Sequence, residues 1–474
     1  MKKYLKINNI AVLLLIVILL GYRVDNTVFA DKNLKAPESP VNLTVKEVTE
    51  SSVTLEWDKP QSSNINNYKI YKNSTYIDST KTNTYKVENL NPDTEYEFYI
   101  RSETANNNVS PAGEPIVVKT DTSVESAKII GYYPAWKSYD EFTPDNIDAQ
   151  KLTHINYAFA YIGQDNKIKL GYPDKDPENF EKLNELKGIN PDLKILISVG
   201  GWNWSAKFSD VASSDSSREI FAQSCVDFIV KYGIDGIDLD WEYPVGGGLE
   251  GNSNRPEDKQ NFTLLLKEIR EKLDEQGVKD NKHYLLTIAC GASSYYLENI
   301  EASKINEYVD YANLMTYDLH GPWDSYSDFN APLYSSSAWS PQYKASVDSS
   351  VELWINAGFT KDKIVVGVPF YGYLYNVETH DSSGLYQVSN GGEALSYSTI
   401  MLNYLNGSYN KMYSEESMVP WIYKDNIFIS YDDAESIALK SEYVKDKGLA
   451  GVMIWELSQD YNSELLNSVF NALN

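Results

Sequence analysis

Eight strand-like runs recur between Ile129 and Trp455 of this 474-residue chain, and most are separated by stretches long enough for a helix. They are Ile129–Tyr133, Thr153–Phe159, Leu193–Val199, Ile234–Trp241, Tyr284–Ala289, Val309–Met315, Ile364–Val368 and Leu449–Trp455. Phe262, Leu265, Leu266, Ile269 and Leu273 repeat at helical spacing, and Gly277 marks a stop. Strands alternating with helices build a parallel sheet covered on its outer face, and eight such units close it into a (β/α)8 barrel, expected over residues 127–474. The longest gap falls between the seventh and eighth runs. Residues 372–447 hold β-like pieces at Met418–Tyr423 and Ile427–Tyr431, then a helix through Ile437 and Tyr443. This predicts an α+β insertion beside the mouth of the barrel.

Residues 37–121 have a different texture, with short alternating runs at Val41–Val45, Ser52–Trp57, Tyr68–Lys72, Tyr85–Val87, Tyr96–Ser102 and Ile116–Lys119 separated by turn residues. That spacing predicts a small all-β sandwich. Lys2, Lys3 and Lys6 precede the apolar run Ile10–Leu20, and Val28-Phe29-Ala30 fits a cleavage site, so residues 1–30 read as an export signal. The apolar run is too short for a comfortable span, so the mature form is expected to be secreted, extracellular and free of the membrane. Cys225 shares a helical face with Phe221 and Phe228, which fits a buried thiol better than a bridge to Cys290, the only other cysteine.

The formal charge is −25, and removal of the signal, with four cations and one anion, takes it to −28. Attraction to nucleic acid or anionic lipid is therefore not expected. Tyr (37) and Trp (10) far outnumber Phe (14), an excess of rings with an apolar face and a polar tip that suits sugars.

The chemistry concentrates in Asp235-Gly236-Ile237-Asp238-Leu239-Asp240-Trp241-Glu242-Tyr243-Pro244. On a strand Asp238, Asp240 and Glu242 share one face, and Ile237, Leu239 and Trp241 the other. The apolar face must meet the outer helices, which sends three carboxylates along the barrel axis toward the C-terminal mouth. Three carboxylates within about 13 Å of strand cannot all ionise cheaply, so at least one is expected to hold a proton near neutrality, as a general acid requires. Asp-x-Asp-x-Glu could also supply oxygen ligands to a divalent ion. However, the four histidines, His154, His283, His320 and His380, form no ligand pair, so neither metal nor cofactor is expected.

The segment Asp235–Pro244 resembles the signature of glycoside hydrolase family 18, the chitinases. Ser198-Val199-Gly200-Gly201-Trp202, Met315-Thr316-Tyr317-Asp318, Gly367-Val368-Pro369-Phe370-Tyr371-Gly372 and Trp455-Glu456 fit the same family, each at a strand's C-terminal end. Upstream, Pro40, Thr54–Trp57, Tyr68 and Leu90–Tyr96 resemble a fibronectin type III domain, with Trp57 as core ring and Tyr96 as corner tyrosine.

The resemblance implies a secreted chitinase that cuts β-1,4-linked N-acetylglucosamine polymers with retention, the substrate's acetamido carbonyl serving as nucleophile. It implies that Glu242 is the general acid and base, that Asp240 holds the acetamido N–H, that Asp238 shares a proton behind it, and that Tyr317 bonds the acetamido oxygen. Trp455 would be the floor of the same subsite, Met315 and Asp318 its lining, and Tyr132 its edge. Trp202 and Trp323 match positions that stack sugars on the leaving-group side. Tyr373 stands where the family often carries arginine, which opens the question of what replaces that hydrogen-bonding partner. The enzyme is expected to be a monomer acting on chitin or its oligosaccharides. The alternatives are an endo-β-N-acetylglucosaminidase on N-glycans or peptidoglycan, and a non-catalytic chitin-binding lectin.

Overall fold

The computed structural model describes residues 36–474 except 62–63, 122–126, 141, 339, 341–343, 379–382, 406 and 408. The expected export signal and His380 lie outside the described residues. The chain divides into two compact units, Met1–Glu125 and Ser126–Asn474.

In the first unit, period-2 burial sets the sheets. Val53, Leu55 and Trp57 point inward from Val53–Asp58, and Tyr96, Phe98, Ile100 and Ser102 from Glu95–Thr104. A three-stranded sheet (Val41–Val48, Val53–Asp58, Thr84–Val87) faces a four-stranded one (Thr75–Thr80, Ile65–Lys72, Glu95–Thr104, Ile116–Lys119) across a single apolar core. Trp57 is buried at its centre, edge-on to Tyr68 at 5.4 Å. The Tyr96 hydroxyl accepts the Asn91 N–H at 2.9 Å, the corner contact of such sandwiches. Thr75–Thr80 was not expected. It is an edge strand without an alternating buried face, so no apolar period announces it.

In the second unit eight parallel strands close on themselves: β1 (Lys128–Pro134), β2 (His154–Ile162), β3 (Lys194–Gly200), β4 (Gly236–Asp240), β5 (Leu285–Gly291), β6 (Tyr311–Met315), β7 (Ile364–Pro369) and β8 (Gly451–Trp455). β8 pairs with β1, and β1 with β2, which completes the barrel. Ile237 and Leu239 of β4 and Trp241 just beyond it join the outer core with Phe262, Leu265, Leu266, Ile269 and Leu273 of the helix Asp258–Asp280. Cys225 and Cys290 are buried and unbridged. At the foot of the barrel the first acid of the signature, Asp235, bonds Lys187 at 2.7 Å, Lys282 at 2.6 Å and the Ile195 N–H at 2.8 Å, and so belongs to the scaffold.

Between β7 and β8 the chain forms a five-stranded antiparallel sheet in the order Ser389–Ser396, Tyr371–Val377, Ile427–Ser430, Val419–Lys424, Asn410–Ser414. The helix Ala434–Lys447 that follows packs against β7 and β8, in the manner of a barrel helix. No helix among the described residues is long and apolar enough to cross a membrane.

Removing the Trp57 ring leaves a cavity in the smaller core, so Trp57→Ala is expected to destabilise that unit by about 3–5 kcal/mol. In urea denaturation followed by fluorescence, an early transition should appear for the sandwich while the barrel transition stays in place. An unchanged profile would show that Trp57 does not hold that core.

Candidate active site

The pleat of β4 and the register of its neighbours build the site. Ser198 on β3 and Thr287 on β5 lie level with Asp238, while Gly200 and Ala289 lie level with Asp240 one pleat higher. Asp238 is therefore enclosed by donors. Oδ2 accepts from the Tyr132 hydroxyl and from Ser198 Oγ, both at 2.7 Å, and Oδ1 accepts from Thr287 Oγ1 at 2.6 Å and Asn313 Nδ2 at 3.3 Å. Burial pushes Asp238 above the ordinary carboxylate range, and these four donors pull it back.

Asp240 has no such company. Its Oδ1 is buried with no hydrogen-bond partner among the described residues, and only small neighbours flank it in register. Burial, then the charges of Glu242 and Asp238, push it well above the ordinary range. A proton shared by this pair is therefore favoured on Asp240, which lacks donors, over Asp238, which has four.

Glu242 sits one pleat further out, 9% exposed, with its N–H held by Ser205 Oγ at 2.9 Å. The same hydroxyl lies 2.8 Å from the Gly201 carbonyl and 3.1 Å from that of Asp240, which fixes the backbone at the strand's end. Burial, with a contribution from the charge of Asp318, raises Glu242 to about 7, while a hydrogen bond from Tyr243 opposes the rise. A carboxylic acid that keeps its proton to neutrality and faces open space can act as a general acid.

That open space is a cavity of about 640 Å³ lined by Asp240, Glu242, Tyr132, Met315, Tyr317, Asp318, Trp202 and Trp455, with Trp136, Phe159, Tyr172 and Trp204 extending it. Trp455 forms an aromatic base, 5.5 Å from Tyr132 and 5.9 Å from Phe159 between ring centres. A second cavity, about 320 Å³, opens on the other side of Glu242, Tyr317 and Asp318, past Tyr243 and Tyr295. Glu242 thus lines both cavities. Trp202 is 47% exposed on the rim of the larger one. Trp323 lines neither. It is 63% exposed and meets Tyr373 edge-on at 5.3 Å, and the Tyr373 hydroxyl in turn bonds the cavity-lining Asp318.

The family model for glycosyl hydrolases family 18 matches residues 128–460, and that for the fibronectin type III domain matches residues 36–119. The chain belongs to glycosyl hydrolase family 18. It is 43% identical over 411 residues to Chitinase A1 of Niallia circulans, covering 74% of this chain and 59% of that protein, so it spans well under two thirds of that relative. Chitotriosidase-1 of Mus musculus is 33% identical over 348 residues, 71% of this chain and 74% of that one. Among solved structures, a family 18 N-acetylglucosaminidase from Paenibacillus barengoltzii superposes with a TM-score of 0.67 at 39% identity, over 73% of this chain and 99% of that one.

The place of the family's arginine is explained by contacts. The Tyr373 hydroxyl donates to Asp318 Oδ1 at 2.7 Å, and the Tyr371 hydroxyl donates to the same oxygen. Asp318 has its backbone at φ 55°, with its N–H held by Asn330 Oδ1 at 2.8 Å. Sequence reading missed Tyr243, Trp136, Trp204 and Tyr172. Trp136 and Trp204 carry the same mark as Trp202, a tryptophan just past a barrel strand. Tyr172 is held by the buried Asp176, which accepts the Tyr172 N–H at 2.9 Å and the Tyr157 hydroxyl at 2.6 Å. Among the described residues no cluster of three or more His, Cys, Asp or Glu is arranged to hold a metal.

Two titrations follow. With Glu242 required as the acid and raised to about 7, kcat/KM should fall as pH rises through about 7. The acidic limb belongs to a second proton entering the Asp238–Asp240 pair, so Ser198→Ala, which removes one donor from Asp238, should move that limb upward by about one pH unit. A limb unmoved in Ser198→Ala would mean that Asp238 does not carry the charge.

Proposed function

We propose that this family 18 glycosidase is a secreted, monomeric chitinase that cleaves β-1,4-linked N-acetylglucosamine chains with retention of configuration. The observation that carries the reading is the ladder itself: Asp238 enclosed by four donors, Asp240 buried with no partner for its Oδ1, and Glu242 raised to about 7 where two cavities adjoin. The domain limits proposed are 37–121 for the sandwich and 127–474 for the barrel with its insertion, behind a cleaved signal of residues 1–30.

In this mechanism Glu242 gives its proton to the glycosidic oxygen as the bond to the leaving sugar breaks. The acetamido oxygen of the sugar over Trp455 attacks the anomeric carbon from the opposite face and closes a five-membered ring. Asp240 accepts the acetamido N–H. As positive charge builds on that nitrogen, Asp240 passes its proton toward Asp238 and takes up the balancing charge. Tyr317 bonds the attacking oxygen and fixes its angle. Glu242, now a carboxylate, takes a proton from water, which opens the ring from the face the leaving group vacated. Two inversions give retention, so the spacing rule for paired carboxylate nucleophiles does not apply.

Chitin is favoured as the substrate because relatives of this chain are named as chitinases, aromatic rings extend the cleft beside Glu242, and a second cavity adjoins the same residue. Release of single N-acetylglucosamine units is the second reading, supported by the likeness to the N-acetylglucosaminidase. Time-resolved product analysis on chitohexaose separates them: dimer, trimer and tetramer from the earliest times for internal cutting, and monomer with a chain shortened one unit at a time, pentamer first, for the second reading. A binding-only lectin is disfavoured by a Glu242 that keeps its acid form near neutrality.

Glu242→Gln keeps shape and hydrogen bonding but has no proton to transfer, and should lower kcat on chitohexaose by roughly 10²- to 10⁴-fold with binding retained. A variant within a few-fold of wild type would remove Glu242 from the role.

Because the nucleophile belongs to the substrate, every new reducing end cut from partly deacetylated chitosan should carry an N-acetyl group. Sequencing of the fragments checks this, and frequent glucosamine at new reducing ends would contradict substrate assistance.

A further inference from the structure

Trp323, which lines neither cavity, is held in place by a device that is no part of the acid ladder. Asp318 and Leu319 close the base of the loop on Asn330, with N–H bonds of 2.8 and 3.0 Å to its side chain and carbonyl. Above that base, Gly321-Pro322-Trp323-Asp324 makes a tight turn, closed by the Asp324 N–H on the Gly321 carbonyl at 2.9 Å. Pro322 occupies the position where a fixed φ favours such a turn, and Trp323 follows it at the tip. An indole 63% exposed gains little from burial, so its direction depends on the turn that carries it.

Three contacts set that direction. Tyr373 meets the indole edge-on at 5.3 Å. Gly321 lies beneath it, so close that a Cβ there would fall 2.2 Å from the ring. The Asp324 carboxylate staples the turn, accepting the Gly321 N–H at 3.3 Å and His320 Nδ1 at 3.0 Å through the same oxygen. His320 is 6% exposed, and its other nitrogen faces Asp328 Oδ2 at 3.6 Å. Asp328 is itself buried, with Oδ1 accepting the Phe329 N–H at 2.8 Å. An imidazole lodged between two aspartates thus ties the exposed tip to the buried base of the loop.

We propose that His320 is a positioning residue that, through Asp324, holds Trp323 as a stacking platform for the sugar chain on the leaving-group side. The inference rests on the reading of Trp323 as a sugar-contacting ring. It adds a specificity element for long chains that lies outside the acid ladder and touches no reacting atom.

The test is kinetic, on the full chain, with chitohexaose and with the 4-nitrophenyl glycoside of diacetylchitobiose, whose leaving group is short. His320→Ala should raise KM for chitohexaose roughly three- to tenfold, the size of one aromatic stacking contact, with kcat within about twofold. The short glycoside should respond much less. His320→Asn, which keeps a donor for Asp324, should restore most of the loss, and His320→Ala added to Trp323→Ala should cost nothing further. If the alanine variant folds poorly by melting temperature, Asp324→Ala carries the same comparison. A wild-type KM for His320→Ala beside an impaired Trp323→Ala, or full additivity of the two, would overturn the role of His320 alone. A wild-type KM for Trp323→Ala would overturn the platform reading and this inference with it.

Discussion

A carboxylate inside a barrel must be matched by donors before it can be charged, and Asp238 is matched four times, from β1, β3, β5 and β6. Those donors arrive because parallel strands hold their residues level: Ser198 and Thr287 are opposite Asp238 by register, and Asp240 finds only Gly200 and Ala289. One pleat apart, two chemically identical groups therefore stand in different settings: four donors favour the charged form of Asp238, and none favours that of Asp240. Everything above them depends on this division. A charge on Asp240 would add to the burial that already lifts Glu242, so the donors that favour charge at Asp238 also bear on how far Glu242 rises.

The aromatic lining rests on the same economy of space. Gly171 sits so close to the Trp204 ring that a Cβ would fall 2.5 Å from it, and the indole in turn packs on Tyr161 and Tyr172. Tyr172 takes its backbone anchor from the buried Asp176, which burial raises to about 6. The Trp204 and Tyr172 rings, half-buried on the wall of the cleft, are thus seated on backbone and braced by other rings.

The barrel was legible because strands buried on both sides write near-continuous apolar runs, and the acid ladder because it breaks that rule on one strand and one face. Register was not legible. Nothing in the spacing of Ser198, Thr287 and Asn313 along the chain says that they converge on one carboxylate, since that depends on how neighbouring strands are staggered. Tyr243 was hidden by its nearness to Glu242, because on a regular strand adjacent side chains point to opposite faces, yet its hydroxyl bonds that acid. Thr75–Thr80 was hidden for the opposite reason: as an exposed edge strand it has no apolar face to write.

The tyrosine at position 373 shows how a single departure fits the electrostatics of the whole cleft. Neither cavity is lined by a lysine, arginine or histidine among the described residues, although three carboxylates face them. An arginine beside Asp318 would neutralise its charge and so remove one of the influences that raise Glu242. Two phenols, Tyr371 and Tyr373, satisfy the same oxygen without adding a cation, and leave the negative field at Glu242 in place. The proton on Glu242 is kept by what surrounds it: apolar burial and uncancelled negative charge.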